Sequence, residues 1–161
     1  MRKESYQFSY ENYASISELG AEDKALLEAA RQLTEQSYAP YSHFHVAAVA
    51  KLKNGQWVKG TNQENASYPV GICAERVLLA SASMLFPNEQ IDSMAITYHN
   101  FNGESNHPVS PCGMCRQSLV EYEARIGKSI RLILSGMDGE VMILDSSKQL
   151  LPFSFGGEDL K

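Results

Sequence analysis

The chain has 161 residues, 43% of them hydrophobic and 20% charged, with a formal net charge of −5. That is enough chain to bury a core in one domain, and too apolar a composition for a disordered segment. No Lys/Arg run exceeds two residues, which argues against a nucleic-acid partner, and no apolar run approaches the ~20 residues of a membrane span.

Residues 1–20 are polar and aromatic, with Phe8, Tyr10, Tyr13 and Ile16 loosely alternating, and read as a short edge strand or an arm. No apolar stretch follows Arg2-Lys3, so no secretory leader is expected and the cytoplasm is the default compartment. A helix is predicted from Ala21 to Tyr38: Leu26, Leu27, Ala30, Leu33 and Thr34 recur at helical spacing, and Glu22 and Asp23 suit its positive end. Ala39-Pro40-Tyr41-Ser42 stops it. His45 to Lys51 is a small-apolar strand, Asn54-Gly55 a hairpin turn with positive φ tolerated at both positions, and Trp57 to Thr61 the returning strand. A helix runs from Cys73 to about Leu85 and is stopped by Pro87; Ser93 to Tyr98 is the third strand. A polar loop, Asn100 to Val109, leads to a helix from the Pro111 segment to about Arg125. Strands Ile130–Leu134 and Val141–Leu144 flank a turn at Met137-Asp138-Gly139-Glu140. The pattern α-β-β-α-β-α-β-β predicts an α/β fold, with a mixed five-stranded sheet between helical layers. Residues 1–20 are read as an extension and 21–161 as one domain.

All three cysteines fall in two stretches, Cys73-Ala74-Glu75-Arg76 and Pro111-Cys112-Gly113-Met114-Cys115-Arg116-Gln117. An odd cysteine count with a CxxC spacing in an unexported chain indicates metal or redox use rather than a disulfide framework. Three thiolates can hold one Zn²⁺ and leave a tetrahedral position open to water. Such a centre is electron-rich. Both segments, however, start helices, whose N-termini supply free N–H groups and partial positive charge. Arg76, one turn from Cys73, is placed to offset thiolate charge from behind the ligands. Glu75 alone would read as a first-turn carboxylate favoured by the helix dipole. Beside a zinc ligand it reads as the general acid/base.

Cys-x-Glu followed at a distance by Pro-Cys-x-x-Cys is the pattern of zinc nucleobase deaminases. With Tyr41-Ser42-His43-Phe44, Asn62 through Pro69, Ser110 through Gln117, and Leu150-Leu151-Pro152 through Phe155-Gly156, the sequence resembles the small, homotetrameric cytidine deaminases, from about Ala21 to Leu160. The resemblance implies that Cys73, Cys112 and Cys115 bind zinc and that Glu75 shuttles protons. It implies that Asn62 and Glu64 hold the ribose 3′-hydroxyl, and an amide and a carboxylate two residues apart on an extended segment do point the same way. By the same resemblance Phe44 packs on the pyrimidine, backbone groups of Ala74 and Ser110 read the base edge, and Ala66, Tyr68 and Phe155 reach a neighbouring subunit's site. The Asn100–His107 loop is longer than the family's usual one. The implied activity is hydrolytic deamination of cytidine or deoxycytidine, in pyrimidine salvage.

Three other readings remain open on sequence alone. A blasticidin-type or modified-nucleoside deaminase would share the zinc motifs. A non-catalytic zinc protein would need a histidine as fourth ligand, since no fourth cysteine exists. A thiol redox protein would use Cys112 and Cys115 and leave Cys73-x-Glu75 without a purpose.

Overall fold

The computed structural model describes residues 1–161. Its elements follow as β1 (Glu11–Tyr13), α1 (Ala21–Leu33), β2 (Phe44–Leu52), β3 (Trp57–Thr61), α2 (Ala74–Leu85), β4 (Ile91–Asn100), α3 (Gly113–Ile126), β5 (Arg131–Ser135) and β6 (Val141–Leu144). One six-stranded sheet has the order β1-β6-β5-β4-β2-β3. The expected sheet had five strands. The sixth is β1, taken from the segment set apart as an extension, and it pairs antiparallel with β6 from Glu11↔Ile143 to Tyr13↔Val141. Three residues without apolar alternation carry little strand signal of their own, so the pairing partner makes this strand.

Only β4 and β5 are hydrogen-bonded in parallel, and α3 makes their crossover. Strand β2 runs antiparallel to both β3 and β4, so α2 carries the chain over β2 from one parallel neighbour to the other. Helices cover both faces. One core joins α2 and α3 to Ala48, Ala50, Met94 and Ile96; the other joins α1 to Ala47, Val49, Ala95 and Ile133. The middle of β2, Ala47 to Ala50, is buried on both sides, and its small side chains let the two helical layers approach the sheet closely. In α1 the buried residues are Leu26, Leu27, Ala30 and Leu33, the predicted apolar stripe; the α-helix stops there and Thr34–Gln36 continue as a 3-10 turn.

Two glycines shape the β2–β3 hairpin and its contact with α2. The Asn54-Gly55 turn has positive φ only at Gly55 (84°), not at both positions. The Gly55 N–H donates to the Leu52 carbonyl at 2.9 Å and Leu52 N–H to the Gln56 carbonyl at 2.8 Å, a tight turn closed by one left-handed glycine. On β3, Gly60 touches α2 directly. A Cβ there would collide with the Ala74 carbonyl oxygen and lie 2.6 Å from the Leu78 backbone nitrogen. The first turn of α2 therefore rests on bare β3 backbone, and that contact sets the height of Cys73, Ala74 and Glu75 above the sheet.

Candidate active site

Cys73 and Cys112 are the N-cap residues of α2 and α3, and Cys115 lies in the first turn of α3. The two helix starts face each other, and their three sulfurs lie within 4.8 Å of one another. The Sγ atoms of Cys73 and Cys112 are 3.7 Å apart, and those of Cys112 and Cys115 3.4 Å. Tetrahedral zinc with ~2.3 Å bonds to sulfur separates two thiolates by about 3.8 Å, so the set fits a zinc ion. All three are free thiols. Hydrogen bonding from the Cys115 thiol, with a smaller contribution from Cys112, lowers the Cys73 pKa to about 6. The same contact and burial push Cys115 up. One negative sulfur is thus stabilised by its neighbours, while more than one calls for a cation. No histidine or carboxylate joins the group. A closed site with histidine as fourth ligand is not formed: none of the four histidines, His43, His45, His99 and His107, places a ring nitrogen with the three sulfurs, and His45 lies 2.6 Å from the Ser37 hydroxyl, His99 stacks on Phe101 and His107 meets Tyr98.

Glu75 follows one turn position after Ala74 and is 4% exposed. Burial pushes its carboxyl up, and its own backbone N–H and the Cys115 thiol offset this only in part. Glu75, Ala74, Cys73 and Cys112 open into a cleft of about 370 Å³, whose wall also includes Phe44, Asn62, Glu64, Tyr68 and Ser110. That volume suits a small organic molecule. Most of the expected residues are therefore gathered from four separate stretches of chain.

Asn62, just past β3, is partly committed to structure. Its Oδ1 accepts from Val46 N–H at 2.8 Å and its Nδ2 donates to the Phe44 carbonyl at 2.9 Å, clamping the start of β2. Each atom keeps one further hydrogen-bond valence. Glu64 accepts at Oε2 from Tyr41 N–H (2.9 Å) and Ser42 N–H (3.2 Å), leaving Oε1 without a protein partner. Burial opposes its charge, but the Ser42 side chain and these backbone donors outweigh burial and hold the carboxyl below its usual range. Phe44 stacks on Tyr98, with ring centroids 4.8 Å apart and planes 12° apart.

Three expected residues lie off the cleft wall. Arg76 makes no hydrogen bond to a cysteine sulfur; it lines a groove between α2 and α3 with Arg125 and Glu121, and its charge lowers the Cys73 pKa only as the least of several causes. Ala66 is exposed beyond the rim. Phe155 is 60% exposed and does not line this chain's own cleft. Arg116 is structural: it donates to the Pro111 carbonyl at 2.8 Å and the Leu150 carbonyl at 2.9 Å, fixing the start of α3 to the C-terminal tail. Tyr98 was not singled out from sequence. It reads there as one more strand residue, and only the β2–β4 register, Val46↔Tyr98, brings it beside Phe44.

A family model described as the cytidine and deoxycytidylate deaminase zinc-binding region matches residues 21–130. This chain belongs to that family. A cytidine deaminase from Halalkalibacterium halodurans is 35% identical over 84% of this chain and 95% of its own length. The crystal structure of a cytidine deaminase from Burkholderia pseudomallei superimposes with a TM-score of 0.70 at 36% identity, covering 81% of this chain and 97% of that one. A blasticidin-S deaminase from Bacillus cereus is more distant, 26% identical over 85% of this chain and 94% of its length. As a member of the cytidine and deoxycytidylate deaminases the chain is a zinc-dependent hydrolytic deaminase, and the α/β/α layering agrees with the solved cytidine deaminases.

Proposed function

We propose that this protein hydrolyses the 4-amino group of cytidine or deoxycytidine, giving uridine or deoxyuridine and ammonia, and so serves pyrimidine salvage in the cytoplasm. The observation that carries the reading is a buried glutamate beside three convergent thiols on the wall of a nucleoside-sized cleft. Zinc held by Cys73, Cys112 and Cys115 would act as a Lewis acid that lowers the pKa of a water towards ~7. Glu75, kept out of bulk water, takes a proton from the incoming water, delivers it to N3 of the base, and later assists proton transfer to the departing amine. Its raised pKa suits both halves of that exchange, since a group must hold the proton between giving and taking it. The free Oε1 of Glu64 and the spare amide valence of Asn62 are proposed to bind the ribose, with Glu64 kept ionised by Tyr41 and Ser42. Phe44 provides an apolar face for the pyrimidine, and backbone groups of Ala74 and Ser110 meet its polar edge.

The assembly is proposed to be a homotetramer with Tyr68, Ala66 and Phe155 completing cleft walls between subunits. Tyr68 is 80% exposed and Phe155 60%, large apolar surfaces on a free chain. Arg76 is retained as an electrostatic support for Cys73, acting by charge without contact.

The test is ultraviolet monitoring of cytidine conversion, beside measured zinc content. Activity should vanish with chelation and return with added zinc. Zinc-loaded protein that leaves cytidine unchanged would sink the reading. Competition among cytidine, deoxycytidine and aminoacyl-nucleosides ranks the substrates.

A further inference from the structure

Tyr98 stands at the C-terminal part of β4, opposite Val46 and on the sheet face that carries Phe44. Its ring lies parallel to that of Phe44 and is 2% exposed, so it is held rather than free to swing. Its hydroxyl lies 3.3 Å from Nδ1 of His107, which is also 3.2 Å from Asn106 Oδ1. His107 belongs to the loop after β4, and that loop is anchored on two sides. Phe101 N–H donates to the His43 carbonyl at 3.0 Å, and Asp138 N–H donates to the Ser105 carbonyl at 3.3 Å. A Cβ on Gly136 or Gly139 would collide with the backbone of Ser105 or Asn106, so loop and β5–β6 turn meet backbone to backbone. Three residues past His107 the loop delivers Ser110, and then Cys112 at the start of α3.

We propose that Tyr98 is a positioning residue for the substrate's ring: it backs Phe44 with a flat face, and its ring, set edge-on to that of His107 with centroids 5.9 Å apart, keeps that face against the loop that presents Ser110. The proposal rests on the cytidine reading above, in which Phe44 meets the pyrimidine. A ring already fixed by stacking loses no freedom when the nucleoside docks, so binding is not charged with ordering it. Tyr98 lines the cleft but makes no hydrogen bond to the thiols or to Glu75, and its removal should weaken binding without slowing the bound substrate's chemistry.

Tyr98→Phe keeps the flat face. Tyr98→Leu and Tyr98→Met keep buried bulk without one, and the pair guards against a single variant that fails to fold. The expected result is a KM for cytidine within about twofold of the parent for the Phe variant, and raised about threefold to tenfold for Leu and Met. kcat and zinc content should change by less than about twofold in all three. Unchanged KM in Leu and Met overturns the proposal. So does a loss of kcat and zinc that keeps step with KM, which would mark a merely structural role, or a Phe variant as impaired as the other two. The same ratios read as calorimetric cytidine affinities in a Glu75→Gln background need no turnover. A parent that binds cytidine without converting it sinks the functional reading alone; a parent that does neither sinks both.

Discussion

At the scale of single residues, Glu75 and Glu64 are carboxylates eleven positions apart with opposite environments. Glu75 is buried and its pKa is raised, chiefly by desolvation. Glu75→Gln should retain zinc, measured by atomic absorption, while turnover falls by at least about 10²–10⁴-fold. A group whose folded pKa is raised penalises the fold as pH climbs above its unfolded value, so the zinc-free Gln variant should melt no lower than the zinc-free parent at pH 7. Glu64 has a depressed pKa, with burial outweighed by hydrogen bonds from Ser42 and Tyr41. Its contribution to stability is therefore present above the unfolded value of about 4.3 and is lost as pH falls through the lower folded value. Acid unfolding followed by circular dichroism should begin at higher pH in the parent than in Glu64→Gln relative to each protein's neutral-pH stability, because the Gln variant has no such loss to suffer. The three metal-binding thiols were legible in the sequence because thiols so few and so placed have few other uses. Tyr98 was not legible, since its role depends on the neighbour that sheet register gives it.

At the scale of elements, two helix starts and one strand backbone build the centre. Cys73 and Cys112 cap α2 and α3 and place their sulfurs at the positive ends of both helices. What sets the distance of α2 from the sheet is Gly60. Gly60→Ala should displace the first turn of α2, cost about 1–3 kcal/mol by overpacking, and lower zinc affinity together with kcat. Zinc titration against a chromophoric chelator reads the first effect and denaturant unfolding the second. An Ala variant with parental zinc affinity would mean that α2 does not depend on this contact. The helices and the hairpins β2–β3 and β5–β6 were predictable from local periodicity and turn chemistry. The glycine was not, because a lone glycine in a short strand does not announce which helix it meets.

For the molecule as a whole, β1 adds an edge that the rest of the sheet does not need for its site. It pairs with β6, the far side of the sheet from the β2–β3 end that bears the cleft. The arm before it touches the C-terminal tail: the Tyr6 ring lies 6.1 Å from that of Phe153, and Gln149 Nε2 donates to the Ser9 carbonyl at 3.1 Å. Deleting residues 1–13 should leave KM for cytidine and zinc content unchanged, lower the thermal midpoint, and promote aggregation through the bared edge of β6, as read by light scattering. Loss of activity in a soluble truncated protein would instead tie the arm to the assembly that completes the cleft.

The three sulfurs also decide how the protein ages in air. Held 3.4 and 3.7 Å apart as free thiols, Cys112 lies between two partners that a small movement could bring to the ~2.05 Å of a cystine. An ion at their centre is then a preservative as well as a catalyst's part, occupying every thiolate that dioxygen would otherwise couple. Enzyme stripped of metal and stored aerobically should stop responding to zinc alone and recover only after a dithiol reductant precedes the metal. Enzyme stripped and stored without oxygen should need zinc and nothing else.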